Sequence, residues 1–202
     1  MKTQWQSKAM KGSRWISITA IMTALALVGN YVLVAIPNLE LGSTVLFVTA
    51  YIFGATMAIW ATLIMSIVFG VINPWGAFIP QIWASQVIGW FYIITVGSIM
   101  AKEGAEEKRL NPSKWELALT GAFVTLIFDQ ITNIGYSITF GVPFLFAVIA
   151  AIPFTLLHVV SNGVIFSQVV PVLDRALRKQ LKDLIWSPEP KVKVEMLESS
   201  TV

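Results

Sequence analysis

Long apolar runs separated by short polar breaks dominate the chain. The runs cover residues 16–36, 44–72, 81–100, about 116–136 and about 152–173. Since about 20 residues in a helix span the hydrocarbon core of a bilayer, runs of this length predict membrane-crossing helices. Two of the breaks are rich in turn-forming residues: segment 37–42 reads PNLELG and segment 73–76 reads NPWG.

The run at 44–72 does not fit one crossing. Its 29 residues would form a helix of about 43 Å, which is long for one span and short for two full ones. Gly54 lies inside the run, and glycine permits a tight turn. The pattern therefore predicts two short helices that turn near residues 53–55.

The basic residues give the number of crossings. All fourteen Lys and Arg lie in three segments: the N-terminal arm up to Arg14, the segment from Lys102 to Lys114, and the tail from Arg175 onward. By the positive-inside rule these segments share the cytoplasmic side, so each stretch between them crosses an even number of times. This predicts an all-α membrane protein with six transmembrane helices and both termini inside. The expected helices are 15–36, 44–54, 55–72, 81–101, 116–137 and 150–174.

Composition agrees with a lipid-embedded chain. Hydrophobic residues make up 56% of the sequence and charged residues only 12%, about half the share in soluble domains. Because cysteine is absent, disulfide scaffolds and thiol chemistry are excluded. The basic residues flank apolar runs and form no patch with interleaved aromatics, so nucleic acid is not an expected partner.

The two ends of the chain differ from the central domain 15–175. Residues 1–14 form a basic cytoplasmic arm. A signal peptide over 1–36 is disfavoured, because 21 apolar residues exceed a typical h-region and no A-x-A site follows. Residues 176–202 form a cytoplasmic tail. After Pro171, leucines recur at helical spacing opposite basic residues, which predicts an amphipathic helix at the inner membrane surface or against a partner.

Polar residues within predicted spans are few, and each requires a reason because a membrane makes them costly. Asp129 and Asn133 share one face of the fifth helix, and His158 and Asn162 share one face of the sixth. If the sixth helix begins near residue 152, Asp129 and His158 both lie about 10 Å below the outer surface and meet. If it begins at Phe144, the pairing fails. The four residues either form a binding site or only hydrogen-bond the helices together.

The outer loops add candidate ligand contacts. Glu40 is the one acid expected outside, and Trp75, Gln81 and Gln86 lie in or just after the third loop. Aromatic faces with amide groups suit a flat, neutral or weakly charged organic ligand. The alternatives are a solvated Glu40 and a Trp75 that anchors the chain at the membrane interface.

The sequence contains no motif that indicates catalysis or metal binding. There is no G-x-S-x-G, H-E-x-x-H or Walker loop, and one histidine does not make a metal cluster. A chain without nucleotide-binding motifs that moves a solute uphill depends on an ion gradient or on another polypeptide. Ala20 and Ala24 are small residues at four-residue spacing, which lets another helix approach closely, whether from a partner or from this bundle.

Several segments together resemble the substrate-binding S components of energy-coupling factor (ECF) transporters. The basic arm and Ala20-x-x-x-Ala24 come first, followed by the segments 36–42 (IPNLELG), 51–54 (YIFG) and 73–81 (NPWGAFIPQ). The pattern of the last two helices follows: Asp129, Asn133, Gly141, Pro143, His158 and Asn162. The resemblance spans about residues 14–175.

The resemblance implies a six-helix bundle that captures a vitamin or similar micronutrient from outside. It implies that Ala20 and Ala24 dock on a coupling membrane subunit, which carries two ATPase subunits whose ATP hydrolysis topples the S component. This chain would then bind no cofactor itself. The expected substrate contacts are Glu40, Trp75, Gln81, Gln86, Asp129, Asn133, His158 and Asn162. The pattern does not match thiamin or biotin members, whereas corrinoids, riboflavin-like rings and other planar cofactor precursors stay open.

The leading hypothesis is therefore the substrate-capturing subunit of an ATP-driven vitamin importer. One alternative is a standalone secondary transporter or channel-like protein. Another is a membrane assembly or sensory protein without a ligand, in which the polar pairs only hold helices together.

Overall fold

The protein is an antiparallel bundle of helices. The computed structural model describes residues 12–74, 76–103 and 112–185, and this part of the chain contains no strands. Its six helices are α1 (Gly12–Tyr31), α2 (Gly42–Phe53), α3 (Ala55–Val71), α4 (Pro80–Glu103), α5 (Lys114–Phe140) and α6 (Phe144–Ile185). The all-α class predicted from the sequence is confirmed.

Four of the helices, α1, α4, α5 and α6, are long and apolar enough to cross a membrane, whereas α2 and α3 are shorter. Large apolar side chains lie on the outside of the bundle, including Ile16 on α1, Phe123 on α5 and Leu145 on α6. In water such a surface would be costly, but in a bilayer it contacts lipid tails. The outer surface is thus that of a multi-pass membrane protein.

A single residue separates the two short helices. α2 ends at Phe53, α3 begins at Ala55, and Gly54 between them has a φ of 90°. Side chains rarely adopt this conformation, whereas glycine does so without steric penalty. The turn therefore lies where the sequence predicted it.

Helix α2 is the centre of the bundle. Every residue from Gly42 to Tyr51 is buried, and α2 packs against α1, α3, α4 and α6. A helix that is apolar all round is expected in such a position. α2 has 12 residues and its antiparallel neighbour α3 has 17, so α2 stops about 8 Å short of the end that α3 reaches. This leaves space within the bundle above the N-terminus of α2.

Helices α5 and α6 form a hairpin in a fixed register. A connection of three residues joins them, and successive pairs one turn apart face each other: Asp129 and His158, Thr125 and Asn162, Gly121 and Phe166. A Cβ on Gly121 would lie only 2.6 Å from Cγ of Phe166. Glycine is therefore required at this close approach of the two helices.

Several helix ends differ from the sequence prediction. α1 ends at Tyr31, not at residue 36, and residues 32–41 form a loop. α6 begins at Phe144, not near residue 150. Pro153 lies inside α6 and not in its first turn; neighbouring helices make an internal proline tolerable in a membrane.

The expectation that a start at Phe144 would separate His158 from Asp129 is wrong. α5 also extends further than predicted, to Phe140, so both helices lengthen at the same end. Asp129 lies eleven residues before Phe140, about 17 Å, and His158 fourteen residues after Phe144, about 21 Å. Counted from these helix ends, the two residues lie at similar distances along neighbouring helices, so they still meet.

The start of the predicted cytoplasmic tail continues α6. The helix passes through Pro171 without interruption and reaches Ile185. Leu173, Leu177 and Leu181 pack against the core of the bundle. These three leucines thus contact the bundle itself. Residues 186–202 lie outside the described residues.

Candidate functional site

A cavity of about 440 Å³ occupies the space above the N-terminus of α2. It lies at the end of the bundle opposite Gly54, between the loop 32–41, the segments 72–74 and 76–79, and the adjoining parts of α3 to α6. Small-molecule sites commonly have volumes of about 300–1,000 Å³, so this cavity is large enough for an organic ligand. Its lining includes seven aromatic side chains: Phe69, Phe78, Trp83, Trp90, Phe128, Tyr136 and Phe140.

The aromatic rings form a connected wall. The ring centroids of Phe69 and Trp90 are 6.3 Å apart, those of Trp90 and Phe128 are 5.8 Å apart, and Phe128 meets the His158 ring edge-on at 6.1 Å. Trp90 Nε1 donates a hydrogen bond to Ser43 Oγ at 3.2 Å. With its N–H satisfied, the indole of Trp90 presents an apolar face to the cavity.

His158 contributes a polar group to this mostly apolar lining. Its Nδ1 is 2.7 Å from Asp129 Oδ1, and both residues are buried. Because an ionised carboxylate only accepts hydrogen bonds, we assign the proton to Nδ1. Asp129 itself does not line the cavity; it holds the imidazole from behind, with Nε2 on the opposite side of the ring.

Glu40 approaches His158 from the loop. Since α2 starts deep in the bundle, the loop descends to reach Gly42 and carries Glu40 inward, so the side chain is only 18% exposed. Its Oε2 accepts a hydrogen bond from the Ser43 N–H at 2.8 Å. A carboxylate is stabilised at this position because the N-terminus of a helix carries partial positive charge.

The environment keeps Glu40 ionised. Burial by itself raises the pKa of its carboxyl, but the nearby His158 imidazole and the Ser43 N–H outweigh burial. The pKa of Glu40 consequently lies below its ordinary value of 4.5.

The facing atoms of Glu40 and His158 do not form a hydrogen bond. Glu40 Oε1 and His158 Nε2 are 3.9 Å apart, and neither has another hydrogen-bond partner although both atoms are shielded from solvent. Buried polar atoms are usually paired, so these two are an exception within the described residues.

The eight predicted substrate contacts separate into three groups. Glu40, Gln86 and His158 line the cavity. Four residues do not: Gln81, Asp129, Asn133 and Asn162. Trp75 lies outside the described residues.

Asn162 connects helices and does not reach the cavity. Its Nδ2 donates to Thr125 Oγ1 at 3.0 Å, one turn below the Asp129–His158 pair. In this position the side chain holds α5 and α6 together, as one of the alternatives from the sequence suggested. Gln81, by contrast, is exposed at the start of α4.

Sequence reasoning missed several lining residues. Asn30 was detectable, because it is an amide within the apolar run of the first helix; its Nδ2 now faces Met65 Sδ at 3.0 Å. Ser43, Phe69 and Phe128 carry no comparable signal, since core residues of the same types are common in membrane helices. Only the bundle packing shows which of them face the cavity.

Ala20 and Ala24, the predicted docking residues, lie on the outside of α1 and are exposed. They are one turn apart on a face that the described helices leave uncovered. Among the described residues, no three His, Asp or Glu side chains come together as a group that could hold a metal ion.

Comparison with known proteins gives one result. A family model described as ECF-type riboflavin transporter, S component, matches residues 12–176. No match is found among curated proteins or among solved structures. The matched region includes every residue that lines the cavity.

Proposed function

This chain belongs to the family of ECF-type riboflavin transporter S components, and we propose that its cavity captures riboflavin, or a flat vitamin of similar size, for import. The chain is thus a substrate-binding subunit of a transporter in the cell membrane. The aromatic cavity is the observation that supports the choice of ligand. Its ring faces suit a planar heterocycle, and its polar side chains suit the polar atoms at the edge of such a ring or on a side chain of the ligand.

The cavity opens toward the outside in this proposal. Basic residues lie at the opposite end of the bundle, with Arg14 near the start of α1, Lys114 at the start of α5, and Arg175 and Arg178 in the inner part of α6. Cytoplasmic ends of membrane helices are enriched in Lys and Arg. The loop 32–41 and the segments 72–74 and 76–79 therefore face the exterior, where a scarce nutrient is collected.

Transport requires energy from partner subunits in this proposal. The sequence has no nucleotide-binding motif, so a coupling membrane subunit and two ATPase subunits supply ATP hydrolysis. The coupling subunit docks on the exposed α1 face at Ala20 and Ala24, where small side chains permit close helix contact.

Ligand binding by the purified chain in detergent tests the capture function. Riboflavin is expected to raise the Tm, because a ligand that binds only the folded state stabilises it by mass action. Phe69→Ala, which removes a cavity ring, should weaken the effect, whereas Phe123→Ala on the lipid-facing side of α5 should not. If neither riboflavin nor another planar vitamin shifts the Tm of the folded protein, the proposed ligand class is wrong.

Reconstitution tests the source of energy. Proteoliposomes that contain the chain with its coupling and ATPase subunits should take up the vitamin only when ATP is present. Uptake by the chain alone, driven by an ion gradient, would instead establish a standalone secondary transporter.

A further inference from the structure

The outward-facing side of α6 changes from apolar to basic along the helix. In its middle part this side exposes Leu156, Val160 and Val164, which follow one another at helical spacing. Eleven residues make about three turns, so Arg175 lies on the same side as Val164, and Lys179 follows one turn later. Both cationic residues are exposed. The side of α6 that contacts lipid tails is therefore continued by two positive charges.

The register of the α5–α6 hairpin gives the level of these charges. Gly121 faces Phe166, so Trp115, six residues earlier on α5, is level with residue 172 of α6. Trp115 is 80% exposed, and tryptophans at helix ends mark the membrane interface. Along the helix axis Arg175 lies about 5 Å and Lys179 about 11 Å beyond this level. The headgroup region on each side of the hydrocarbon core is about 5–8 Å thick, so both residues lie in it or at its edge.

The side chains of this part of α6 point back toward the bilayer. Side chains on a helix tilt toward its N-terminus, and the N-terminal part of α6 is in the membrane. Arg175 shows this direction, because its Nε donates to the Pro171 backbone oxygen at 3.1 Å, one turn nearer the membrane. The guanidinium has five N–H donors, so this hydrogen bond leaves four for an external acceptor.

The neighbouring acid does not neutralise this surface. Asp174 is buried and pairs with Arg178, at 2.6 Å between Oδ1 and Nε. Among the residues whose side chains the structure describes, no acid forms an ion pair with Arg175 or Lys179. These two residues therefore present net positive charge at the level of the phosphate groups.

The packing of the helices favours lipid over a protein partner on this side. α6 packs against α5 and α2, whereas α1, which carries the proposed docking face, packs mainly against α2 and α3. A coupling subunit on α1 does not need to cover the basic side of α6. That side stays next to the membrane.

We propose that Arg175 and Lys179 bind the phosphate groups of anionic phospholipids in the inner leaflet. The phosphate oxygens accept from the guanidinium and the ammonium group, and the acyl chains lie along the apolar side of α6. A phospholipid with a net negative charge is preferred over one whose headgroup carries a compensating positive charge. The inference depends on the cytoplasmic position of the basic end, and not on the identity of the vitamin.

Lipid titration of the full chain in detergent tests the site. Phosphatidylglycerol and phosphatidylcholine with identical acyl chains are compared by the lipid concentration that gives half of the maximal Tm increase. For the wild-type chain this concentration should be at least about tenfold lower for phosphatidylglycerol, because each Lys or Arg near an anionic surface adds a factor of about five. Higher salt should reduce the preference, since ions screen exposed charges.

Variants locate the preference on α6. Arg175→Gln/Lys179→Gln should lose most of it, and the charge-preserving Arg175→Lys/Lys179→Arg should keep it. Each Gln variant alone should lose part of the preference, which keeps the test if the double variant fails to fold. Lys11→Gln/Arg14→Gln is the matched control: it removes two positive charges at the start of α1 and should leave the preference nearly unchanged.

Three outcomes overturn the proposal. The first is equal affinity of the wild-type chain for the two lipids. The second is an equal loss in the α1 control, which would mean that the whole basic end attracts lipid without a site on α6. The third is a preference that survives in Arg175→Gln/Lys179→Gln. If that variant also loses ATP-driven uptake, the surface contacts a protein partner instead.

Discussion

Asp129 on α5 and His158 on α6 are joined by a hydrogen bond of 2.7 Å between Oδ1 and Nδ1, and this bond is buried in the bundle. It does two things at once. It connects the two longest helices, and it sets the side of the imidazole that faces the cavity. From the sequence, Asp129 and His158 were both predicted to contact the ligand. In the structure only His158 lines the cavity, and Asp129 holds its imidazole.

Loss of the Asp129 carboxylate should affect stability before it affects ligand contact. We expect Asp129→Ala to lower the free energy of unfolding by about 1–3 kcal/mol, because the buried Nδ1–H of His158 loses its acceptor. Asp129→Asn should lose less, since its amide oxygen still accepts. Denaturant unfolding in detergent measures both values. Equal loss in the two variants would show that the negative charge, and not the hydrogen bond, is the stabilising feature.

The close approach of α5 to α6 predicts a steric effect at Gly121. A side chain there would contact the Phe166 ring and the Asn162 backbone oxygen, at 2.6 and 2.7 Å from the Cβ. Gly121→Val should therefore destabilise the protein by about 1–3 kcal/mol. Thermal unfolding of the purified protein measures the change. Phe166→Ala combined with Gly121→Val should recover part of the loss, whereas full additivity would contradict the proposed contact.

The lowered pKa of Glu40 predicts that the folded protein loses stability in acid. Its pKa is lower in the folded protein than its ordinary value of 4.5, so the ionised form stabilises the fold above that pH. This contribution disappears as the pH falls from 4.5 through the folded pKa. The Tm difference between wild-type and Glu40→Gln should thus be constant between about pH 5 and 6 and decrease below pH 4.5. A difference that grows in acid would reverse the sign and contradict the assignment.

Two glutamines on α4 provide a test residue and a control for ligand binding in the cavity. Gln86 lines it, whereas Gln81 lies five residues earlier, is exposed and does not line it. Gln86→Ala should weaken vitamin binding by about tenfold, because one hydrogen bond contributes roughly 1 kcal/mol or more in a shielded site. Gln81→Ala should leave the Kd unchanged. Titration by tryptophan fluorescence measures the Kd of both variants. A larger loss of affinity in Gln81→Ala than in Gln86→Ala would show that the ligand does not bind in this cavity.

The exposed face of α1 predicts a separation of binding from transport. Ala20→Trp or Ala24→Trp should abolish uptake in the reconstituted transporter, because a large ring prevents close helix contact. The same variants should keep the wild-type Kd for the vitamin, since neither residue lines the cavity. Ile138→Trp, on an exposed position of α5, is the control and should leave uptake intact. Loss of both activities would indicate packing within the bundle instead.

Parts of the site were predictable because membranes restrict polar residues. Asp129 and His158 stand out in apolar runs, and their equal depth along antiparallel helices suggested that they meet. The prediction ended α5 too early and began α6 too late, so it made both helices too short at the same end. Asn162 is also a polar residue in an apolar run, but its side chain donates to Thr125 and does not reach the cavity. The spacing of residues along a helix predicts which face a side chain lies on, but not which residue it contacts.

The sequence by itself determined the membrane class, the number of helices and the turn at Gly54. Length, hydropathy and charge decide these features locally, and lipid permits few other solutions. Only the tertiary structure decided that α2 lies at the centre of the bundle, and therefore where the cavity lies. It also decided that the loop carries Glu40 down to His158 while Gln81 stays outside. These relationships depend on the level in the bundle at which each helix begins and on which of its faces contacts each neighbouring helix. Packing between helices that are distant in sequence determines both features.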